Sequence, residues 1–185
     1  MPKATFTAGV YGCACWNDNS LLKIKVNVRT DQIHQRELVG LPTDSDVLII
    51  DLPGGGAMFE DFVGTEKGTL FAILQREIEE ETGGCTIKQV GLWSQPYMAI
   101  KNEAAKQGTV GDLAFWTPIV LSGRPVPTDE ALDHPWITLR ELETEDKYRT
   151  VGGLGNLGRT ARMLREAFEF FLLSRLNLGM FTDPQ

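Results

Sequence analysis

The chain has 185 residues and a formal net charge of −7, and 42% of its residues are hydrophobic. These totals suit one domain with a substantial core and exclude a membrane-spanning helix, because no stretch approaches the roughly 18 apolar residues that such a helix needs. The acidic balance argues against nonspecific nucleic-acid binding, which requires Lys and Arg against the phosphates.

The first predicted elements are two strands, 5–15 and 21–29, the second with clear alternation of apolar and polar side chains. A polar, turn-rich stretch follows, and we group residues 1–45 as an N-terminal strand region. The short apolar run 47–52 predicts a buried strand. The three glycines at 54–56 predict a Gly-rich turn directly after that strand.

The second half of the chain mixes helices and strands. We predict a loop over 57–68, a helix over 69–82 that Gly83 ends, strands over 86–93 and 113–121, a short strand at 136–139, and a C-terminal helix over 158–176. Regular βαβ alternation is missing, so we predict an α+β fold: an α/β/α sandwich with a mixed β-sheet between helices, formed by 1–185 as a single domain.

The cysteines and the N-terminus bear on the compartment. Cys13, Cys15 and Cys85 are too few, and odd in number, for a disulfide framework, and we predict buried free thiols. The N-terminal segment MPKATFTAGV lacks the long apolar core of a secretion signal. We therefore predict a cytoplasmic protein.

The helix over 69–82 carries a run of glutamates. Glu77, Glu80 and Glu81 lie at i, i+3 and i+4, so we expect their carboxylates to converge on one side of the helix. Grouped oxygen ligands of this kind suit Mg²⁺ or Mn²⁺, which use substrate phosphates as further ligands. Arg76 precedes Glu80 by one helical turn and can pair with it. A solvated acidic helix face is the alternative interpretation.

Two segments together resemble a family signature. LPGGG at 52–56 and REIEEETG at 76–83 resemble the sequence motif of the Nudix hydrolases, and the match covers Arg76, Glu77, Ile78, Glu80, Glu81 and Gly83. The chain departs from the motif in two ways. The loop between its halves is longer, and Gly68 stands where the motif has a glutamate, so that Glu60 or Glu66 would have to replace it.

The resemblance implies the Nudix fold and a Mg²⁺-dependent hydrolase. Such enzymes cleave the pyrophosphate bond of a nucleoside diphosphate linked to another moiety, and we favour ADP-ribose or a nucleotide sugar. Oxidised nucleotides, dinucleoside polyphosphates and NAD-type substrates stay open. The expected partner is thus a small-molecule nucleotide, and the longer N-terminal region resembles that of the dimeric sugar-nucleotide members, which allows a homodimer. The alternative is a catalytically weak or inactive Nudix-like nucleotide-binding or regulatory module, which the missing glutamate at Gly68 supports.

The resemblance also implies catalytic and metal-binding roles. Glu77, Glu80 and Glu81 are the expected metal ligands, with Glu80 also accepting the proton of the attacking water. Arg76 is expected to orient the glutamates. A base on a later loop is an alternative, and Glu103 and Asp112 are its candidates.

Substrate contacts are expected around these ligands. The backbone of the glycine run can approach a pyrophosphate closely, an aromatic ring can stack on a base, and an arginine at the start of the C-terminal helix can contact a phosphate. The predicted positions are Gly54, Gly55, Gly56, Trp93 and Arg159, with Tyr97 and Trp116 as further candidates for stacking.

Overall fold

The computed structural model describes residues 5–18, 21–57, 69–95, 97–100, 109–144, 146–151 and 158–174. In chain order their helices and strands are β1 (Thr5–Asp18), β2 (Leu21–Lys25), β3 (Asn27–Arg29), α1 (Gln32–Leu38), β4 (Leu48–Asp51), β5 (Gly54–Ala57), α2 (Leu70–Thr82), β6 (Thr86–Val90), β7 (Tyr97–Ile100), β8 (Thr109–Ser122), β9 (Ala131–Asp133), β10 (Trp136–Thr138), α3 (Leu139–Thr144), β11 (Tyr148–Thr150) and α4 (Arg159–Ser174).

The described strands form two mixed sheets. In the larger sheet the order is β10-β2-β1-β8-β6, with β5 added to β1 and β7 added to β8. Its centre is the long parallel pair of β1 and β8, and the other pairs in this sheet are antiparallel. The smaller sheet has the order β11-β4-β3-β9, in which β4 and β11 run parallel. Two parallel pairs within otherwise antiparallel sheets confirm the predicted mixed topology.

Alternate side chains of β1 and β8 face two different layers, as the two-residue period of a strand requires. On one face Val10, Ala14 and Ile119 pack against α2 through Ile73, Leu74 and Ile78. On the other face the packing partners are α4 and the smaller sheet, through residues that include Tyr11, Cys13, Trp116, Met163, Leu164 and Phe168. Each fully buried side chain of this size stabilises the fold by roughly 1.5–3 kcal/mol. The predicted sandwich of helices around a mixed sheet is confirmed.

The helix α2 has a defined beginning and end. The side chain of Thr69 caps its N-terminus by accepting a hydrogen bond from the backbone N–H of Ala72 (3.1 Å). Gly83 ends it in the left-handed region, at φ 70°, which glycine adopts without a steric cost. The predicted helix over 69–82 is therefore confirmed, and its cap residues fix which side chains face the sheet.

The glycine run forms a strand where the sequence predicts a turn. Residues 54–57 pair with Ala8–Tyr11 of β1 in antiparallel register. Three glycines have no side chains that could show alternation, so the two-residue period has no signal there. The pairing places the glycine backbone directly beneath α2.

Two other predictions need correction. The predicted strand 21–29 is divided at Val26, and its halves, β2 and β3, belong to different sheets. The N-terminal region 1–45 also contains a helix, α1, in the stretch that we expected to be turns. The side chain of Gln32 anchors this helix because it donates to the carbonyl of Ile49 (2.9 Å) and accepts from its N–H (2.8 Å). A tertiary contact of this kind leaves no local pattern.

Strands β7 and β9 also lie in segments that we predicted to be loops, at 97–100 and 131–133. Both are short, and β7 lacks a clear alternating pattern. The predicted loop at 57–68 lies outside the described residues except for Ala57. The three cysteines are free and buried, as predicted.

Candidate active site

The candidate site lies where α2 crosses the beginning of β5. Asp51 ends β4, and the chain enters β5 at Gly54 after two residues. Because β5 is the strand beneath α2, the acidic positions of α2 lie against the glycine backbone instead of against large side chains. The fold thus places the carboxylates of Glu77 and Glu81 next to the glycine backbone.

Glu81 is the most buried of these carboxylates, with 6% of its surface exposed. Its Oε2 accepts hydrogen bonds from the N–H of Gly54 (2.6 Å) and from Nδ2 of Asn27 (2.9 Å). The pKa of Glu81 is raised to about 9: burial is the main cause, the Gly54 hydrogen bond opposes it, and the charges of Asp51, Glu77 and Glu130 add to it. Burial of this kind favours the neutral carboxylic acid unless a cation is bound nearby.

Glu77 occupies the space that a side chain at position 55 would need. A Cβ atom built on Gly55 would lie 1.8 Å from Oε2 of Glu77. The other oxygen of Glu77, Oε1, lies 2.7 Å from Nη2 of Arg76, and the Glu77 side chain is 12% exposed. Gly55 therefore has a specific role, which is to leave room for this carboxylate.

Arg76 connects two of the glutamates. Besides its ion pair with Glu77, its Nη1 lies 3.4 Å from Oε2 of Glu80. The predicted pairing of Arg76 with Glu80 is thus confirmed. Both side chains are about half exposed, so this pair contributes little to stability. Its effect is geometric, because one guanidinium holds two carboxylates.

The three glutamates do not converge on one point as expected. In the described part of the chain no three His, Cys, Asp or Glu side chains lie close enough together to hold a metal ion. The reason is that Glu81 is drawn inward by Gly54 and Asn27, whereas Glu80 turns outward to Arg76. The donor chemistry nevertheless fits Mg²⁺ or Mn²⁺, since all three groups are carboxylates and such ions take remaining ligands from water and phosphate.

Asn27 is a site residue that sequence reasoning missed. It is 2% exposed, and while its Nδ2 donates to Glu81, its Oδ1 lies 2.8 Å from Nδ1 of His134. The other ring nitrogen of His134 lies 3.0 Å from the carbonyl oxygen of Val126. Alternation along 21–29 predicts an exposed Asn27, but the change of sheet at Val26 turns it inward. His134 likewise lies in no sequence pattern that indicates a role in the site.

We expect Asn27→Ala to lower the free energy of unfolding by about 1–3 kcal/mol, because it leaves the buried Glu81 and His134 without their shared partner. Urea denaturation of the variant and of wild type would measure this. Gln89→Ala removes an exposed amide from β6 and serves as the control. Equal midpoints for the two variants would contradict a structural role for Asn27.

Comparison with known proteins identifies the fold. Neither a protein-family model nor a curated protein sequence matches the chain. The MutT protein from Methanosarcina mazei Go1 superposes with a TM-score of 0.54 at 16% identity, over 93% of this chain and 98% of that one. The Nudix domain of Shewanella oneidensis NrtR, complexed with ADP ribose, superposes with a TM-score of 0.55 at 11% identity, over 92% of this chain and 90% of that one. A Nudix hydrolase from Nitrosomonas europaea superposes with a TM-score of 0.53 at 13% identity, over 92% of this chain and 90% of that one.

The chain has the Nudix fold. At these identities the similarity concerns the fold alone, and the chemistry has to be argued from the residues. The glutamate helix and the glycine run, in which the Nudix motif was recognised, face each other here as α2 and β5. No helix among the described residues is long and apolar enough to cross a membrane.

Arg159, the predicted phosphate contact, lies near Asp51 at the edge of the candidate site. Its Nη2 donates to the hydroxyl of Tyr11 (2.7 Å), and its guanidinium lies 5.2 Å from the centre of the Tyr11 ring. Burial raises the pKa of Asp51, and the charge of Arg159 opposes that shift. Thr160 also donates to Oδ1 of Asp51 (2.9 Å). The first turn of α4 is therefore attached to the strand that leads into the glycine run.

The structure shows packing and hydrogen-bond contacts for the three aromatic rings that are candidates for stacking. Trp93 is partly buried against the apolar cluster beneath α2. Trp116 is 4% exposed, and its Nε1 donates to Oε2 of Glu166 on α4 (2.8 Å). Tyr97 donates a hydrogen bond to the same carboxylate oxygen. These rings pack within the sheet or join it to α4.

Several sequence predictions fall outside what the structure describes. Gly68, which replaces the glutamate of the motif, lies in the segment 58–68, together with Glu60 and Glu66. Glu103 also lies outside the described residues, as does the side chain of Asp112. Gly56, in contrast, is described, and an added Cβ there would meet no atom of the described residues within 4 Å. Of the three glycines, Gly56 is therefore the one whose side-chain space is open.

Proposed function

We propose that the chain is a Mg²⁺-dependent Nudix pyrophosphohydrolase that cleaves the pyrophosphate bond of a nucleoside diphosphate linked to another moiety. The observation that carries this proposal is the arrangement of Arg76 between Glu77 and Glu80, directly over Gly55 on a Nudix fold. Two carboxylates held by one arginine beside the glycine run can bind the metal ions that neutralise phosphate oxygens. Pyrophosphate hydrolysis requires that arrangement together with an activated water.

Each residue has a distinct task in this mechanism. Glu80 is half exposed and accepts the proton of the attacking water. Glu77 and Glu80 are the accessible metal ligands, with Glu81 behind them, and Arg76 fixes the rotamers of the first two. Bound Mg²⁺ supplies neutralisation of the phosphate oxygens and a lower pKa of the bound water. The N–H of Gly54 donates to Glu81 and holds this carboxylate behind the other two.

For the substrate we propose ADP-ribose or a nucleotide sugar. Two features support this choice. The Nudix domain of Shewanella oneidensis NrtR, which shares the fold, is complexed with ADP ribose. Arg159 places a cation next to Asp51 at the entrance to the glycine run, where a second phosphate group would need one. Other nucleoside diphosphate derivatives stay open, because the contacts that select the leaving group depend on loops.

The alternative is a nucleotide-binding or regulatory module without turnover. Its support is that three carboxylates are not gathered within the described residues, together with the missing motif glutamate at Gly68. Such a module would bind the nucleotide through Arg159 and the glycine backbone. It would not depend on Glu80.

Measurement of phosphate release over a substrate panel, coupled to a phosphatase, tests the proposal. The panel contains ADP-ribose, nucleotide sugars, NADH, dinucleoside polyphosphates and nucleoside triphosphates, each with Mg²⁺ and Mn²⁺. We expect metal-dependent turnover that Glu80→Gln lowers at least tenfold, because an amide cannot accept the proton. Glu79→Gln, an exposed neighbour on the same helix, should leave turnover unchanged. Nucleotide binding without turnover would favour the binding module.

A further inference from the structure

A cavity of about 450 Å³ lies at the far end of the larger sheet, outside the candidate active site. Its walls come from the last residues of β1 and β8, from the turn after β8, and from the segment that joins β9 to β10. None of its lining residues belongs to α2 or to the glycine run. The volume lies within the roughly 300–1,000 Å³ that is usual for small-molecule sites.

The cavity combines aromatic rings with cations. Trp16 and Trp136 line it, with ring centres 5.8 Å apart and planes at 59°. Lys25 lies with its Nζ 4.6 Å from the centre of the Trp136 ring, and Arg124 lies on the adjacent wall. The remaining lining combines apolar side chains, such as Ile119 of β8, with the polar side chains of Asp133 and His134. A ligand in this cavity would therefore contact both planar hydrophobic surface and positive charge.

The positive charge at the cavity exceeds the negative charge. Lys25 donates to the carbonyl oxygen of His134 (2.9 Å), which is a neutral acceptor. The acid in the lining, Asp133, accepts a hydrogen bond from the backbone N–H of His134 (2.7 Å). Burial lowers the pKa of Lys25, the charge of Arg124 lowers it further, and Cys85 and Asp133 act in the opposite direction. An anion placed between Lys25 and Arg124 would raise the pKa of Lys25 and so stabilise its charged form.

We propose that this cavity is a second ligand site, which binds a small planar anion: an aromatic ring that carries a phosphate or carboxylate group. The ring packs against Trp16 and Trp136, and the anionic group lies between Lys25 and Arg124. The proposal stands independently of hydrolysis at α2. The two sites are nevertheless connected by hydrogen bonds, because His134 lines the cavity and contacts Asn27, which donates to Glu81.

Isothermal titration calorimetry in EDTA tests this site without metal at the glutamates. The probes are AMP and indole-3-acetate, which carry ring and charge, and adenosine and orthophosphate, which each carry one of them. We expect AMP and indole-3-acetate to bind at least tenfold more tightly than adenosine and orthophosphate. Absence of binding by both ring-bearing anions would overturn the proposal. Orthophosphate that binds as tightly as AMP would also overturn it, because the rings would then contribute nothing.

Variants locate the binding. Arg124→Ala and Lys25→Met should each weaken the binding of AMP at least tenfold. Arg124 is exposed, so its replacement leaves the fold intact even if Lys25→Met destabilises it. Lys88→Met removes an exposed lysine outside the cavity and should change nothing. Glu80→Gln should retain AMP binding even though the proposed turnover is lost, which separates failure of this site from failure of the proposed function. AMP binding that both Arg124→Ala and Lys25→Met retain in full would overturn the assignment.

Discussion

Gly55→Ala is expected to reduce turnover of the best substrate by a hundredfold or more while leaving the fold intact. The added Cβ would lie 1.8 Å from Oε2 and 2.5 Å from Cδ of Glu77, and these atoms belong to the end of a flexible side chain. The carboxylate can therefore move away at little cost in stability. It would lose its place beside Arg76, and a misplacement of about 1 Å at a catalytic site is enough for a hundredfold loss.

Gly56→Ala is the matched control for this variant. It adds the same methyl group one residue later, where no atom in the described part of the chain lies within 4 Å. Steady-state kinetics with the substrate that the panel identifies, together with thermal melts, would compare both variants with wild type. We expect nearly equal melting temperatures and a loss of turnover confined to Gly55→Ala. If the two variants were equally active, Glu77 would not need the position that the structure gives it.

Gly54 differs from both of its neighbours. Its φ is 136°, and an added Cβ would lie 2.1 Å from the carbonyl oxygen of Val10, which is backbone and cannot move aside. A substitution there disturbs the pairing of β5 with β1 and thus the fold. The run of three glycines therefore contains a backbone requirement at Gly54, a requirement of the site at Gly55 and an open position at Gly56.

The sequence could not distinguish these three roles. The predicted turn, the helix over 69–82 and the pairing of Arg76 with Glu80 rest on local patterns, and two of these three predictions are confirmed. The turn was wrong because glycine carries no side-chain period from which a strand could be recognised. Local patterns also placed three glutamates on one side of a helix. They could not show that Gly54 and Asn27, distant in sequence, draw Glu81 inward.

The roles of Asn27 and His134 also depend on contacts between residues that are distant in sequence. Alternation along 21–29 assigned Asn27 to the exposed side, because a continuous strand keeps its period. The chain changes sheet at Val26, whose N–H donates to the carbonyl of Pro135 (3.1 Å). That contact spans more than a hundred positions, and the residues after it enter the smaller sheet, where Asn27 and Val28 are both buried. Residues that support a site through such contacts are visible only in the folded chain.

The stability of the metal-free protein is expected to fall as the pH rises from about 5 to 9, and Glu81 is the cause. In the unfolded chain this carboxyl has a pKa near its ordinary value of 4.5, whereas burial raises it to about 9 in the folded chain. At a pH between these two pKa values, the folded protein keeps a proton on Glu81 that the unfolded chain has released. One such group lowers the free energy of unfolding by up to about 1.4 kcal/mol per pH unit.

Glu81→Gln separates this contribution from that of other groups. Asp51 also has a raised pKa and acts in the same direction, so the decisive quantity is the difference in pH slope between the variant and wild type. Denaturant unfolding in EDTA at pH 6 and pH 8 would measure it, with the exposed Glu79→Gln as the control. We expect a shallower slope for Glu81→Gln alone. Identical slopes for all three proteins would show that Glu81 ionises normally and is not held as the structure places it.

The same titration tests whether a cation acts on Glu81. A divalent cation nearby favours the ionised carboxylate and so lowers its pKa. The cation must displace the proton on Glu81, and this costs less free energy at pH 8 than at pH 6. Mg²⁺ should therefore stabilise wild type more at pH 8 than at pH 6. The effect should be lost in Glu81→Gln. If Mg²⁺ stabilised the protein equally at both pH values, the cation would bind at Glu77 and Glu80 without reaching Glu81, and the buried carboxyl would have only a structural role.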